Sequence, residues 1–246
     1  MKVALFIPCY VDQFYPQVGI ATLELLEKLG CDVDYPRNQT CCGQPMANSG
    51  YESKNEKIDE LFIDNFAGYD YVVCPSGSCT LHVKDHLHSA GREIEAGSIR
   101  NNVYELVEFL HDILKVDKIE TAFPHKVGLH ASCHGLRGLR IAAAPELNIP
   151  PFNKTASLLQ KVEGLQLVDL HMPGECCGFG GTFAVGEEAL SVKMGNDRIK
   201  DHTSHEAEFI VGNDMSCLMH LQGIISRNKM RVKVMHVAEI LNGVSA

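Results

Sequence analysis

The chain has 246 residues, which suits one large or two small domains, and its 45% hydrophobic and 22% charged residues exclude a mostly disordered protein. A formal net charge of −9 argues against nucleic acid and anionic membrane surfaces as partners, because both select basic surfaces. We expect a cytoplasmic protein without a transmembrane segment, since no stretch approaches the roughly 18 apolar residues of a spanning helix and the opening apolar run meets Pro8 too early for a signal peptide.

Strand and helix signals alternate along the first half of the chain. Residues 2–7 form a continuous apolar run, which is typical of a strand buried on both faces. Apolar side chains then recur at helical spacing between Pro16, which suits a first helical turn, and Gly30, a common helix terminator. The same reasoning predicts further strands at 31–35 and 70–74 and further helices at 53–67 and 101–115.

The second half shows the same alternation of strands and helices. Its predicted strands cover residues 126–130, 165–169, 207–211 and 232–235. Its predicted helices cover residues 153–162, 187–201, 215–227 and 237–242. Strands that alternate with helices indicate an α/β fold with mainly parallel sheets and right-handed crossovers.

The second half is also a copy of the first half in sequence. Three strand segments, each followed by cysteine, match at offsets of 124, 135 and 138 residues, so the loops of the second copy are longer. The matched segments begin at Lys2 and Lys126, at Val33 and Val168, and at Asp70 and Glu208. This internal similarity predicts two modules, residues 1–122 and 123–246, each a Rossmann-like unit.

Eight of the ten cysteines follow the predicted strands at corresponding places in the two copies. The carboxyl ends of parallel strands meet at one edge of a sheet, where open α/β sheets build their sites, so we expect the cysteines of each copy to gather there. We call these sets the first and second cysteine groups. The first cysteine group is Cys9, Cys41, Cys42 and Cys79, and the second is Cys133, Cys176, Cys177 and Cys217.

Four thiols in one place suit zinc or an iron–sulfur cluster. Because no signal peptide is expected, the compartment is reducing and the thiols are interpreted as ligands before disulfides. Adjacent cysteines strain a small tetrahedral zinc site, which prefers spacers of two to four residues, whereas a polynuclear cluster offers each cysteine its own iron. Backbone N–H groups of the glycine-rich segment 178–181 are expected to donate hydrogen bonds to thiolate or sulfide.

The duplicated pattern of a cysteine, a Cys-Cys-Gly turn and a terminal cysteine resembles the cysteine-rich CCG-domain family. This family includes the cysteine-rich subunit of heterodisulfide reductase and iron–sulfur subunits of glycolate oxidase complexes. The segments Pro75–Cys79 and Gly174–Gly181 resemble the loops of its lactate-utilisation members closely. The resemblance covers almost the full length of the chain.

The resemblance implies one iron–sulfur cluster per module, held by the first and second cysteine groups. It also implies electron transfer during the oxidation of L-lactate to pyruvate, alongside sister subunits that include a ferredoxin-type iron–sulfur protein. Because no flavin or nicotinamide motif is visible, we expect an oxidoreductase subunit that performs no hydride chemistry alone. The sequence assigns no catalytic residue.

The chain departs from the fuller family motif, which ends in Cys-x-x-Cys and supplies five cysteines per module. The first cysteine of that pair is replaced by Ser76 in one copy and by Asp214 in the other. Heterodisulfide reductase uses five cysteines to hold noncubane clusters that cleave a disulfide. We therefore expect a cuboidal [4Fe–4S] cluster with four thiolates in each module, with Ser76 and Asp214 at most weak oxygen ligands.

Two other functions stay open on the sequence. The first is a thiol–disulfide reductase that uses a noncubane cluster, which five thiols at one site would favour. The second is a structural or docking subunit in which zinc occupies one or both cysteine groups, and zinc is also a substitute where an exposed cluster has decayed. Elemental analysis distinguishes the two kinds of site, because a cluster contains iron with acid-labile sulfide and a zinc site contains zinc without sulfide.

The remaining cysteines and several histidines receive more ordinary interpretations. Cys31 and Cys74 lie outside the two groups and are predicted to be buried small hydrophobic residues. Three histidines follow on a helix after the first group and are predicted to lie on a solvated face: His82, His86 and His88. His134 either donates a hydrogen bond to a cluster sulfur or is an ordinary loop residue.

Overall fold

A computed structural model of the chain describes residues 1–244. Within these residues, eight strands form two four-stranded sheets in which all strands are parallel, and helices flank both sheets. The α/β class and the division of the strands into two similar sets, predicted from the alternation of strands and helices, are confirmed.

The first half of the chain contains four strands and seven α-helices. The strands are β1 (Lys2–Leu5), β2 (Asp32–Asp34), β3 (Tyr71–Cys74) and β4 (Val103–Glu105). The helices are α1 (Cys9–Phe14), α2 (Pro16–Lys28), α3 (Gln44–Asn48), α4 (Glu56–Phe66), α5 (Gly77–His86), α6 (Glu93–Asn102) and α7 (Leu106–Glu108). A 3₁₀ turn at Glu52–Lys54 precedes α4, and a π-helical turn at Phe109–Ile113 continues α7.

The second half contains four strands and five α-helices among the described residues. The strands are β5 (Lys126–His130), β6 (Gln166–Leu167), β7 (Phe209–Gly212) and β8 (Lys233–His236). The helices are α8 (Lys154–Leu159), α9 (Phe183–Gly186), α10 (Glu188–Ser204), α11 (Met215–Arg227) and α12 (Val237–Asn242). A π-helical turn at His134–Gly138 follows β5.

Both sheets have the same strand order. The first is β2-β1-β3-β4 and the second is β6-β5-β7-β8. Ala4 of β1 pairs with Val72 of β3, and Gly128 of β5 pairs with Ile210 of β7. In the first sheet, the strand that follows β1 in the chain lies on one side of it and β3 lies on the other, and the second sheet repeats this at β5 and β7. The loops that leave these neighbouring strands therefore run in opposite directions. Such a switch point opens a crevice at the carboxyl ends of the strands.

The prediction of a helix over 101–115 is wrong in its first part. Residues Val103–Glu105 form β4, which pairs with β3 and is buried at Val103 and Glu105. A strand of three residues is too short for its period of two to stand out from the helical spacing that follows it. The corresponding strand of the second half, predicted at 232–235, lies at Lys233–His236, and the helices predicted at 215–227 and 237–242 have those bounds.

The two halves pack against each other because the last helices of each half contact helices of the other half. Helix α12, which ends the second half, packs on α2 of the first half, while α7 of the first half contacts α8 of the second half. Lys28 Nζ donates to the Asn242 carbonyl at 3.0 Å and to its Oδ1 at 2.6 Å. One hydrophobic core therefore contains residues of both sheets, such as Val3 and Val127.

A short antiparallel bridge joins the two halves. Ser76, which follows β3, pairs with Asp214, which follows β7, and these residues correspond in the sequence repeat. The Gly77 N–H also donates to the Asn213 carbonyl at 3.3 Å. This bridge connects the carboxyl-terminal edges of the two sheets directly, so the loops at those edges face each other.

Gly128 provides a test of the packing in the second sheet. A Cβ at Gly128 would lie 2.1 Å from Nδ1 of the buried His202, whereas the corresponding residue of the first sheet is Ala4. We expect Gly128→Ala to lower the free energy of unfolding by about 1–3 kcal/mol through overpacking, measured by urea denaturation.

Gly223→Ala is the matched control for this substitution. Gly223 is exposed on α11, and a Cβ there would have no heavy atom of another element within 4 Å among residues 1–244. The control is expected to raise the free energy of unfolding by up to ~1 kcal/mol through helix propensity. An unchanged urea midpoint for Gly128→Ala would show that this packing is not tight.

Candidate metal centre

A cavity of about 440 Å³ lies where the edges of the two sheets meet. All eight cysteines of the first and second cysteine groups line it. The same members of each group are buried, and the same members are half-buried. The buried members are Cys42 and Cys79 in the first group and Cys177 and Cys217 in the second. The cavity therefore presents two similar sets of four thiols, one from each half of the chain.

Three separate loops deliver the first cysteine group. Cys9 begins α1 directly after β1, Cys41 and Cys42 lie in the loop after β2, and Cys79 lies in the first turn of α5. Gln39 holds the middle loop against β1: its Oε1 accepts from the Ile7 N–H at 2.8 Å and its Nε2 donates to the Leu5 carbonyl at 3.1 Å. As a result, the Sγ atoms of Cys9 and Cys41 are 3.9 Å apart.

The second cysteine group is placed in the same way. Cys133 lies at the start of the π-helical turn after β5, and Cys217 lies in the first turn of α11. Cys176 and Cys177 lie in the loop between β6 and α9, where the Gly178 N–H donates to Cys176 Sγ at 3.3 Å. This backbone N–H···S contact is of the kind predicted for the glycine-rich segment.

The glycine of each Cys-Cys-Gly turn closes the turn in the left-handed region. Gly43 has φ +93° and Gly178 has φ +89°, a conformation that glycine adopts without steric cost. The Gly43 carbonyl accepts from Asn55 Nδ2 at 3.1 Å, and the Gly178 carbonyl accepts from Ser191 Oγ at 2.8 Å. A Cβ at either glycine would lie 2.6 Å from an atom of the same supporting residue. The two turns are therefore held by equivalent contacts.

The thiols of each cysteine group differ in the direction of their pKa shifts. The pKa of Cys41 is lowered because the thiols of Cys42 and Cys9 hydrogen bond to its sulfur. The pKa values of Cys9 and Cys42 are raised, chiefly because each shares a hydrogen bond with Cys41. Cys176 is the corresponding acidic thiol of the second group. Binding of a metal by these thiols must release the protons that they carry.

Ser76 and Asp214 act as helix caps at the edge of the cavity. Ser76 Oγ accepts from the Cys79 N–H at 3.4 Å at the start of α5. Asp214 Oδ1 accepts from the Ser216 N–H and hydroxyl at 3.2 and 2.7 Å, and its Oδ2 accepts from the Ser78 N–H at 2.8 Å in the other half. Both carboxylate oxygens of Asp214 are engaged in hydrogen bonds, which favours a structural role over metal ligation.

The predicted solvated helix face is correct for His86; His88 is exposed but lies beyond the end of α5, and the prediction is wrong for His82. His82 is buried behind the first cysteine group, and burial lowers its pKa to about 4. His220 is its counterpart in the second half, where it is half-buried near Ser191. The signal that could have found this pair is a repeated Cys-x-x-His pattern at the last cysteine of each group.

His130 is a second residue that sequence reasoning missed. It ends β5, it is 1% exposed, and one of its ring nitrogens lies within 4.8 Å of the sulfurs of Cys177 and Cys217. Its counterpart in the first half is Phe6, so the repeat itself gave no indication of a polar side chain here. His134 lines the cavity, and its Nε2 lies 3.4 Å from Gln44 Nε2 of the other half.

Cys31 and Cys74 do not line the cavity. Cys74 is fully buried at the end of β3, where its thiol points toward the Ser76 carbonyl at 3.8 Å, as expected for a small core residue. Cys31 is half-buried at the edge of the core rather than buried.

The donor chemistry of the cavity fits a thiophilic metal. Each cysteine group offers four sulfurs, and soft thiolate ligands select zinc or iron–sulfur clusters. The Cys176 sulfur already accepts a backbone N–H, and backbone N–H groups commonly stabilise ligated sulfur. Within residues 1–244, neither ring nitrogen of His130 has a hydrogen-bond partner, so a donor is available beside the second group.

A family model and the most similar curated proteins indicate one family. The model of the cysteine-rich domain CCG matches residues 3–84 and 127–222. The chain is 42% identical to lactate utilization protein A of Geobacillus kaustophilus over 246 residues, which cover 98% of this chain and 99% of that protein. The lactate utilization protein A of Bacillus subtilis is 40% identical with the same coverage. A glutamate racemase from Bacillus anthracis aligns at a TM-score of 0.37 and 11% identity, over 98% of this chain and 78% of that one.

The helices of the described part of the chain are too short or too polar to cross a membrane.

Gly178 tests how the second cysteine group is held. Gly178→Ala would place a Cβ 2.6 Å from the Ser191 carbonyl at a positive φ, so the Cys176–Cys177 turn must move. We expect the variant to lose the metal of the second group and retain that of the first, measured as metal per chain in anaerobically purified protein.

Gly186→Ala is the matched control, because Gly186 lies in α9 at negative φ and a Cβ there would have open space, with nothing from residues 1–244 inside 4 Å. Its metal content is expected to equal that of the unaltered chain. Full metal content in Gly178→Ala would show that the turn tolerates a side chain.

Proposed function

The chain belongs to the CCG cysteine-rich domain family, and from this premise we propose that it is an electron-transfer subunit with an iron–sulfur cluster in each half. The single observation that carries the proposal is that two sets of four thiols line one cavity. The ligands of one cluster are the first cysteine group, and those of the other are the second. The proposed modules are residues 1–122 and 123–246.

The proposed cluster type is [4Fe–4S], held by four thiolates in each half. Such a cluster accepts and releases one electron at a time. The adjacent cysteines of each Cys-Cys-Gly turn bind neighbouring irons, which a mononuclear zinc site does not offer. Ser76 and Asp214 cap helices instead of completing a set of five ligands, and this supports a cuboidal cluster over the noncubane type.

Two aromatic side chains, one from each half, line the cavity. Tyr10 from the first half and Phe179 from the second half line the cavity with their rings 6.1 Å apart in an edge-on arrangement. These rings add an aromatic contact between the two halves at the cavity that holds both cysteine groups. Because both groups line the same cavity, an electron passes between them without crossing the protein core. The chain therefore serves as a two-site relay.

We propose that this relay serves lactate utilisation. Relatives at 40–42% identity over nearly the whole chain carry the name lactate utilization protein A. The electrons would come from oxidation of L-lactate to pyruvate in a cytoplasmic complex with sister subunits, one of them a ferredoxin-type iron–sulfur protein. Hydride chemistry would belong to a partner, because the sequence shows no flavin or nicotinamide motif.

A zinc-binding docking subunit is the second candidate, and one observation favours it. His130, Cys177 and Cys217 bring a nitrogen and two sulfurs within 4.8 Å of one another, which is a donor set that zinc accepts. The first group has Phe6 in place of this histidine, so the same argument does not extend to both halves. A disulfide reductase with five thiols per site is less well supported, since the fifth nearby thiol, Cys74, lies outside the cavity lining.

Metal and sulfide analysis tests the proposal directly. Anaerobically purified protein is expected to contain iron with an equal amount of acid-labile sulfide and an electron paramagnetic resonance (EPR) signal on reduction. Cys41→Ala should remove the signal of one cluster, because it deletes a ligand of the first group. Cys31→Ala is the matched control and should leave iron and sulfide unchanged. Zinc without sulfide in the unaltered protein would instead support the docking subunit.

Ser76 distinguishes four thiolate ligands from five ligands. Ser76→Ala removes the helix cap of α5 and is expected to cost about 1 kcal/mol of stability. Iron and sulfide per chain should stay at the level of the unaltered protein, because the serine oxygen is not a ligand. Loss of iron from the first group, with the second group intact, would contradict the four-thiolate site.

A further inference from the structure

Three phenylalanines pack behind the first cysteine group. Phe6 follows β1, and Phe62 and Phe66 lie on α4. The ring centroid of Phe6 is 4.9 Å from that of Phe62 and 5.5 Å from that of Phe66, in edge-to-face contact. The same hydrophobic cluster contains Cys42 and Cys79. Apart from His82, whose counterpart in the second half is His220, the wall behind the first group is therefore apolar.

The corresponding positions of the second half carry His130, Arg198 and His202. His130 matches Phe6 at the offset of 124 residues that relates β1 to β5. Arg198 and His202 of α10 match the two phenylalanines of α4 at an offset of 136 residues. The same offset relates Asn55 to Ser191, which hold equivalent glycine carbonyls, so structure and sequence support this alignment.

Arg198 is a fully buried cation in this wall. Its relative exposure is 0%, and a guanidinium stays protonated in proteins. Its Nε lies 3.1 Å from His202 Nε2, and its Nη1 donates to Asp201 Oδ2 at 3.2 Å and to the Met172 carbonyl. Its Nη2 has no hydrogen-bond partner in the part of the chain that the structure describes.

His130 and His202 leave further nitrogens unpaired beside Arg198. Both ring nitrogens of His130 and Nδ1 of His202 are buried without a partner among residues 1–244. Nδ1 of His202 packs against Gly128. A neutral imidazole still has one N–H, so the His130 ring and Arg198 Nη2 each call for an acceptor, since buried polar groups of native proteins are almost always paired. The sulfurs of Cys177 and Cys217 lie within 4.8 Å of a His130 nitrogen. The acceptor that fits is a negatively charged group held by the second cysteine group.

Acidic side chains also lie near this wall, and two of them share their oxygens with other donors. The groups that face Arg198 with negative charge are Asp201, Glu175 and the Cys177 sulfur. The Asp201 side chain is only 9% exposed, and its carboxylate is shared between Arg198 and the backbone N–H groups of His171 and Met172. Asp214 faces His130, but its oxygens are engaged by Ser216 and Ser78.

We propose that these residues make the two sites unequal, so that the site of the second cysteine group has the higher reduction potential and receives the electron from the first. This inference rests on the proposed iron–sulfur function. Reduction adds one negative charge, which a buried cation and N–H donors to sulfur stabilise and a phenylalanine wall does not. In the transfer, one electron leaves the first site, which is oxidised, and enters the second, which is reduced.

His130 and Arg198 are positioning residues in this account, since they tune the site through the sulfurs that hold it. The phenylalanines of the first half contribute burial alone. Burial in a medium of low dielectric opposes added charge and lowers the potential of the first site. The two halves thus provide the same ligands but differ in polarity at the matched positions behind them. This difference sets the direction of electron transfer between the two sites.

Variants that keep only one of the two sites allow the two reduction potentials to be measured separately. Cys42→Ala leaves only the second site, and Cys177→Ala leaves only the first. Iron and acid-labile sulfide are counted in both, and each is titrated with dithionite and mediators under EPR detection. The midpoint potential of the Cys42→Ala protein is expected to be more positive than that of the Cys177→Ala protein. Equal potentials or the reverse order overturn the inference and leave the proposed function standing.

Further substitutions in the Cys42→Ala protein identify the cause. Arg198→Met and His130→Phe should each shift the midpoint to a more negative value, because they remove the cation or the N–H donors. Arg198→Lys keeps the charge and is expected to shift it less than Arg198→Met. Equal shifts for these two, with no shift in His130→Phe, assign the effect to packing and overturn the inference.

Phe62→Leu in the Cys177→Ala protein is the matched control and should leave the midpoint unchanged, since it alters the apolar wall without adding charge. If both single-site proteins lack iron and sulfide, the proposed function and this inference fall together. Iron and sulfide in both, with the wrong order of potentials, removes only the inference.

Discussion

The antiparallel pairing of Ser76 with Asp214 is the contact on which the site depends. It joins the carboxyl ends of two parallel sheets, and each of these residues also caps the helix that carries the last cysteine of its group. Asp214 reaches across to the Ser78 N–H, so the start of one helix is fixed by the other half. Eight thiols from six loops consequently line one cavity.

The two halves use the same devices around their cysteines and differ behind them. A left-handed glycine closes each Cys-Cys-Gly turn, and a polar side chain from the following helix region holds its carbonyl, Asn55 in one half and Ser191 in the other. Behind these turns, Phe6 and His130 occupy matching strand positions with opposite polarity. Duplication preserved the geometry of the ligands while the surroundings diverged.

Much of this could be predicted from the sequence, because the repeat and the strand pattern are local signals. The parallel sheets and the convergence of the cysteine loops follow from where Cys9 and Cys133 stand relative to buried strands. The burial of Arg198 could not be predicted, because a polar residue on a helix is usually solvated and only tertiary packing reveals otherwise, whereas His82 had a signal in the repeated Cys-x-x-His pattern. Strand β4 is too short to be told from the helix that follows it.

The central claim is that each cysteine group holds an iron–sulfur cluster. Mössbauer spectroscopy of protein grown with iron-57 and purified without oxygen tests it most directly, because it reports the number, valence and sulfur coordination of the irons. The account predicts about eight sulfur-coordinated irons per chain in two [4Fe–4S] clusters. Mononuclear iron, or zinc at full occupancy with no inorganic sulfide, would contradict it.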